Sequence, residues 1–182
     1  MNYPNIPTAI TRRESNLIAE LTAGKHVLEI GSYLGYSTVW MALNGAWVTA
    51  VDPHEWMDTR LAFEENLTRY DVADRINAVF RPSQAVPTEL DGFTWEAAFI
   101  DGDHSYENAL FDLRLARNVV RPGGWILAHD YTFPGYNGDG WPGVIQAVDE
   151  VLGDLREVRR EGCLYAARLN PAVDHREAQP AQ

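Results

Sequence analysis

Residues 28–38 read LEIGSYLGYST, and this short stretch decides the fold class. His26-Val27-Leu28-Glu29-Ile30 is an apolar run of strand length, and Tyr36 to Leu43 has the composition of a following helix. The chain passes from one to the other through Gly31 and Gly35. Without a Cβ, glycine lets the backbone bend tightly and lets a ligand approach it closely. A strand running through such a turn into a helix is the first half of a βαβ unit.

The same alternation continues outward. Trp47 to Val51 forms a second strand closed by Asp52-Pro53, and Asp58 to Tyr70 has helical spacing. Ile76 to Phe80 and Trp95 to Ile100 are the third and fourth strands. Ser105 to Val119 is a long helix with Ser105 as its expected N-cap and Arg121-Pro122-Gly123-Gly124 as its stop. Trp125 to Ala128 is a fifth strand, and Pro142 to Leu152 a helix with proline in its first turn. Leu155 to Arg160 and Cys163 to Leu169 flank Glu161-Gly162 as a hairpin. One helix, Arg13 to Leu21, precedes the first strand.

The expected fold is therefore α/β: a Rossmann-like, doubly wound, seven-stranded sheet with helices on both faces. It is parallel except for one antiparallel strand, which the C-terminal hairpin adds at an edge. The 182 residues suit one domain over 1–170, with a polar tail, 171–182, expected to be disordered.

Composition narrows the partners. A net charge of −11 repels phosphate backbones, so no nucleic-acid partner is expected. No window holds the ~18 consecutive apolar residues of a membrane span, and the N-terminus has no secretory pattern, so a cytoplasmic location is expected. Cys163 is the only cysteine, which rules out an internal disulfide and a cysteine-rich metal site.

In doubly wound sheets the ligand lies beyond the C-terminal ends of the strands. Those ends carry Glu29 to Gly35, Asp52, Ser83-Gln84, Asp101 to His104 and His129-Asp130. The glycine turn lacks the middle glycine of a dinucleotide fingerprint and has Tyr33 there, a ring that would crowd a pyrophosphate. Glu29 suits a cationic ligand, and Asp52, about twenty residues beyond the glycines, suits the hydroxyls of a ribose. Together they point to a nucleoside ligand without a diphosphate and away from an NAD dehydrogenase.

EIGSYLGYST (Glu29 to Thr38) resembles the first motif of class I S-adenosylmethionine-dependent methyltransferases, in particular the catechol O-methyltransferase-like branch. VDPHE with Asp52 is similar to that branch's ribose-binding strand end, and RPSQAVPTEL with Ser83-Gln84 to its adenine-side loop. FIDGDHSYENALFDL and RPGGWILAHDY resemble a bacterial group that includes macrolide and aminocoumarin sugar O-methyltransferases and cephalosporin-biosynthesis enzymes. The resemblance implies S-adenosylmethionine as cofactor. Glu29 and the backbone of Gly31, Ser32 and Tyr33 would hold its methionine part, Asp52 its ribose, and Ser83 and Gln84 its adenine, with Gly35 and Ser37 also in the cofactor site. Asp101 would border the same site.

The resemblance also implies a divalent metal, Mg²⁺ or Mn²⁺, at Asp101 with His129-Asp130, where the related enzymes carry Asp-Asp or Asp-Asn. His129 is the departure. His104, three residues after Asp101, stands where the catechol-type enzymes place a lysine base, and an imidazole suits proton removal near neutral pH. Asp103 is the competing base. The implied activity is O-methylation of a small-molecule hydroxyl on a sugar, phenol or glycosylated metabolite. Metal chemistry other than methyl transfer, or a non-catalytic cofactor-binding domain, are the alternatives. The aromatic, glycine-rich stretch Tyr131 to Gly143 is expected to be a lid, with Tyr131, Tyr136 and Trp141 as stacking candidates. No residue argues for a homodimer, although the fold would allow one.

Overall fold

A computed structural model describes residues 2–55, 58–85, 93–131 and 141–171. In chain order its elements are α1 (Arg12–Thr22), β1 (His26–Ile30), α2 (Tyr36–Leu43), β2 (Trp47–Val51), α3 (Arg60–Arg69) and β3 (Ile76–Val79). β4 (Trp95–Ile100), α4 (Tyr106–Val119), β5 (Val120–Ala128), α5 (Pro142–Leu152), β6 (Val158–Glu161) and β7 (Leu164–Arg168) follow. The strands form one sheet in the order β3-β2-β1-β4-β5-β7-β6. β1, β2, β3, β4 and β5 pair in parallel, and β7 runs antiparallel to both β5 and β6. Order reverses between β1 and β4, and that switch point is where a doubly wound sheet opens a crevice.

The central strands are buried on both faces, which is why they read as nearly continuous apolar runs. On one face Leu17, Ile18 and Leu21 of α1 pack with Val39 and Met41 of α2 and with Phe63 and Leu67 of α3. On the other, Ala109, Leu113 and Ala116 of α4 pack with Val144, Ala147 and Val148 of α5. Phe63 is fully buried beneath the Gly35 turn, and burying such a ring contributes about 2–3 kcal/mol. α1 opens with a capping box: the Thr11 hydroxyl accepts the Glu14 N–H at 3.3 Å, and the Glu14 carboxylate accepts the Thr11 N–H at 2.7 Å.

Three expectations change in detail. The antiparallel strand is not at the edge: β7 sits between β5 and β6, and β6 is the edge. β5 starts at Val120 rather than Trp125, because Val120 pairs with Trp95 before Arg121–Gly124 bulges and pairing resumes at Ala97 and Trp125. Gly123 N–H and Gly124 C=O then bond to Leu169, tying the bulge to the end of β7. At α4, Ser105 does hold the N-cap position, but its hydroxyl makes no capping bond; the Asp103 carboxylate accepts the Ser105 N–H instead, at 2.7 Å. Among the described residues no helix is long and apolar enough to cross a membrane.

Candidate active site

Parallel pairing continues one residue beyond the strands and sets the candidate residues in a row. Gly31 N–H bonds to Val51 C=O, Asp52 N–H to Val79 C=O, Asp101 N–H to Ile30 C=O and His129 N–H to Ile100 C=O, at 2.8–3.1 Å. The backbone ladder thus brings the glycine turn, Asp52, Asp101 and His129 together from positions up to a hundred residues apart. At the switch point the turn packs directly on the β4 end. A Cβ on Gly31 would lie 2.1 Å from the Asp101 carbonyl oxygen, and φ there is +86°.

Within the turn, Gly31, Tyr33 and Gly35 all have left-handed backbones, with Tyr33 at φ +46°. Tyr33 therefore keeps a glycine-type conformation at the position where a dinucleotide fold has glycine, which costs about 1 kcal/mol or more for an L-residue. Asp52 fixes this shape. Its carboxylate accepts the N–H groups of Ser32 (2.9 Å), Tyr33 (2.8 Å) and His54 (2.7 Å). The Ser32 hydroxyl is buried and has no hydrogen-bond partner among the described residues.

Glu29 is fully buried below the turn, where its carboxylate accepts the hydroxyls of Ser37 and Thr38 at 2.5 Å each. Both Glu29 and Ser37 are thus engaged with each other at the start of α2. Burial pushes the Glu29 carboxyl up to about 8, against the pull of the two hydroxyls. Its folded value lies above the unfolded 4.5, so its linkage penalty is absent below pH 4.5 and accumulates as pH rises towards 8. Denaturant unfolding at pH 5 and 8.5 should show lower stability at the higher pH. Glu29→Gln should shrink that gap by on the order of 3 kcal/mol; an unchanged gap would refute the assignment.

On the adenine-side loop, Ser83 is buried and its hydroxyl donates to Asp112 of α4 at 2.5 Å, while the exposed Gln84 side-chain amide donates to Asn108 at 2.7 Å. Asp112 is raised to about 6 by burial, which outweighs the Ser83 bond. Residues 86–90 of that loop lie outside the described residues, as do 132–140 of the expected lid, Tyr136 included. Tyr131 is buried with its hydroxyl donating to Asp149 at 2.7 Å.

At the ends of β4 and β5 the acids and histidines meet. His104 Nε2 lies 2.8 Å from Asp130 Oδ2, and its ring stacks on Trp141 with centroids 4.3 Å apart and planes 11° from parallel. Trp141 reaches this place because α5 starts hard against the α4 entry: a Cβ on Gly143 would meet Tyr106 N at 2.6 Å and His104 O at 2.7 Å. Burial lowers the His104 pKa, but the Asp130 bond and the Asp130, Asp101 and Asp103 charges prevail and raise it. Asp103 is lowered by its hydrogen bonds from Ser105, and this weakens it as a base. Asp130 itself has φ +61° and is held below the usual carboxylate range: burial opposes this, and His104 and His129 overcome it.

His129 is buried behind this pair. Its Nδ1 lies 3.4 Å from both Asp101 Oδ1 and Asp130 Oδ2. Its Nε2 faces Glu14 Oε2 at 3.7 Å, an ion-pair rather than a hydrogen-bond distance, and Cys163 Sγ at 3.5 Å. Burial disfavours the charged ring, yet the surrounding carboxylates, Asp101 foremost, raise its pKa far above the usual range. Positive charge is therefore favoured between Asp101 and Asp130; in the metal-free chain the protonated ring supplies it, and a divalent cation drawn by the same carboxylates would displace the Nδ1 proton. Asp101, His129 and Asp130 offer donor atoms within 4.8 Å of one another, so the residues fit such an ion.

Glu14, Asp112 and His54 belong to this neighbourhood and escaped the sequence reading. Thr11-x-x-Glu14 was legible as a capping box, but its partners His129 and Cys163 are over a hundred residues away. Asp112 was detectable as an acid on the face shared by Ala109, Leu113 and Ala116. His54, buried against Phe63 and Phe80 with Nδ1 2.8 Å from the Thr59 hydroxyl, left no local signal.

A sheet wound in this order, with an acid-braced glycine turn and a carboxylate–histidine group across the switch point, has the class I methyltransferase architecture. Residues 28–131 match the family described as a methyltransferase domain, and the chain belongs to that family. It is 32% identical over 125 residues to catechol O-methyltransferase of Mycobacterium tuberculosis, a match covering 63% of this chain and 57% of that one. The chain spans 57% and 64% of the lengths of the two curated relatives it matches. Among solved structures, a cofactor-bound protein from MTB superposes with a TM-score of 0.72 at 21% identity, covering 93% of this chain and 84% of the other. An O-methyltransferase from Bacillus cereus in complex with SAH gives 0.69 at 19% identity, with 91% and 84% covered.

Proposed function

We propose that the protein is an S-adenosylmethionine-dependent O-methyltransferase acting on a hydroxyl of a small molecule, with His104 as general base and a divalent cation at Asp101, His129 and Asp130. The observation that carries this reading is the row of strand ends, which puts a braced glycine turn and a base–carboxylate pair on either side of one switch point. The buried Ser32 hydroxyl without a partner among the described residues, beside the Asp52 carboxylate, supports a polar ligand along the turn. The catechol O-methyltransferase relative supports a hydroxyl acceptor of the phenol class, with sugars and glycosylated metabolites as the other candidates.

When bound, S-adenosylmethionine supplies a methyl group made electrophilic by its sulfonium. The chain's share is alignment and the proton. Asp52 holds the turn and has one acceptor site left on Oδ1 for a ribose hydroxyl, while Glu29 orders the start of α2 through Ser37 and Thr38. With His104 Nε2–H donating to Asp130, its Nδ1 lone pair is left to take the proton of the acceptor hydroxyl, and Trp141 holds the ring plane. A cation at Asp101, His129 and Asp130 would stabilise negative charge on the acceptor. Asp103, occupied at the α4 N-terminus, is the weaker base.

Titration calorimetry with S-adenosylmethionine is the direct test. The wild-type chain should bind it, and Asp52→Asn should weaken binding by roughly tenfold or more, since the charged acceptor that braces the turn and receives a ribose hydroxyl becomes neutral. Wild-type protein that ignores the methyl donor at millimolar concentration would sink the proposal. Transfer assays over phenols and sugars, with and without chelator, then separate methyl transfer from a cofactor-binding role.

A further inference from the structure

We propose that the Asp101–His129–Asp130 site takes a transition-metal dication through Nδ1 of His129 in preference to Mg²⁺, and that Glu14 of α1 is the positioning residue for that ring. The inference rests on the cation site of the proposed function and adds which metals it selects and what orients its nitrogen ligand.

The ring has two unlike sides. Nδ1 looks onto Asp101 and Asp130, each 3.4 Å away, and Asp101 is the partly exposed member that opens the site. Nε2 looks into the core, where Glu14 is fully buried and Cys163 nearly so. Glu14 is already engaged there: one oxygen accepts the N–H of Thr11 at 2.7 Å, and the other the N–H and S–H of Cys163 at 2.8 and 3.0 Å. Its position is set by α1 and by the β6–β7 turn, two elements far apart in the chain. At 3.7 Å Glu14 acts on the non-ligating nitrogen through its charge rather than a hydrogen bond, which favours a proton on that side and the lone pair on the other.

With Nε2 facing Glu14, Nδ1 becomes the ligand as the metal ion displaces its proton, and the donor set is two carboxylates and one imidazole. Mg²⁺ prefers oxygen donors and gives up its waters reluctantly, whereas Mn²⁺, Co²⁺ and Zn²⁺ accept imidazole, with affinity rising along the first-row series. A second group of donors, Glu14, His129 and Cys163, lies on the buried side. Its Glu14 oxygens already accept from α1 and the β6–β7 turn and face the Nε2 side of the ring, so the exposed side is favoured.

The experiment is calorimetry of the full chain with MgCl₂, MnCl₂ and CoCl₂, paired with pulsed electron paramagnetic resonance of the Mn²⁺-loaded protein. Expected are Co²⁺ and Mn²⁺ binding tighter than Mg²⁺ by on the order of 100-fold, and modulation of the Mn²⁺ echo by one imidazole nitrogen. His129→Asp should abolish that modulation and narrow the metal preference. Glu14→Gln, which keeps size and shape, should weaken Mn²⁺ binding by about 10–100-fold while leaving S-adenosylmethionine affinity unchanged. If Glu14→Gln fails to fold, the wild-type and His129→Asp spectra still decide. Mg²⁺ bound as tightly as Mn²⁺, no nitrogen modulation, or a thiolate-to-cobalt charge-transfer band showing Cys163 as a ligand would each overturn the inference. Absence of metal binding with methyl-donor binding intact overturns it and the cation part of the proposed function, but not methyl transfer. Loss of methyl-donor binding with these metal results in place strikes the proposed function alone.

Discussion

Gly31→Ala is expected to lose about 2–4 kcal/mol of stability and to weaken binding of S-adenosylmethionine. The added Cβ would sit 2.1 Å from the Asp101 carbonyl oxygen, 2.5 Å from its carbon and 2.8 Å from the Gly102 Cα, all backbone atoms that no rotamer change can move. The only relief is to part the ends of β1 and β4, which breaks the Asp101–Ile30 backbone bond and displaces Asp101 from the site. Gly123→Ala is the control. Its φ of +79° carries the same left-handed strain, yet nothing lies within 4 Å of the new methyl, so about 1–2 kcal/mol is expected. Urea unfolding of both variants measures the difference; equal losses would show that the packing of the turn on β4 does not matter.

His104→Ala is expected to lower the methyl-transfer rate by about 10²–10⁴-fold on whichever hydroxyl acceptor the wild type turns over, with little change in methyl-donor affinity. The base must be neutral to take a proton, so the rate should rise with pH through the His104 pKa. Without a cation the Asp130 bond and nearby carboxylates raise that pKa above 6.5 and place the ascending limb above that pH, and a cation held by Asp101 and Asp130 would lower it. Asp130→Asn removes the largest raising influence and should move the limb to lower pH, besides reducing the rate. Asp103→Asn should change the rate far less, since that carboxylate serves the α4 N-terminus. A rate that survives His104→Ala but not Asp103→Asn would reverse the two roles.

Local patterns made much of the fold legible. β1, α2, β2, β4 and α5 have the limits that apolar runs, glycines and the Pro142 start indicate, because a strand buried on both faces and a helix bounded by caps are written in neighbouring residues. The Val120 start of β5 was hidden, since Pro122 and two glycines read as punctuation while the structure uses them as a bulge between β4 and β7. The interior place of β7 was equally invisible: a hairpin's sequence sets its turn but not which of its strands finds the free edge of β5.

The candidate site divides the same way. Asp52, Asp101, His104 and Asp130 could be listed from the chain alone because each follows a strand end, and the sheet's architecture says that strand ends meet the ligand. Their assignments to partners belong to tertiary structure. Only packing puts Glu14 of the first helix behind His129, gives Asp112 to Ser83, lays Trp141 on His104 and leaves Asp103 at a helix start. The physical reason is range. Strand, turn and helix are chosen by energies acting over a few residues, whereas hydrogen bonds and charges between buried groups depend on which distant segments the folded sheet brings within about 4 Å.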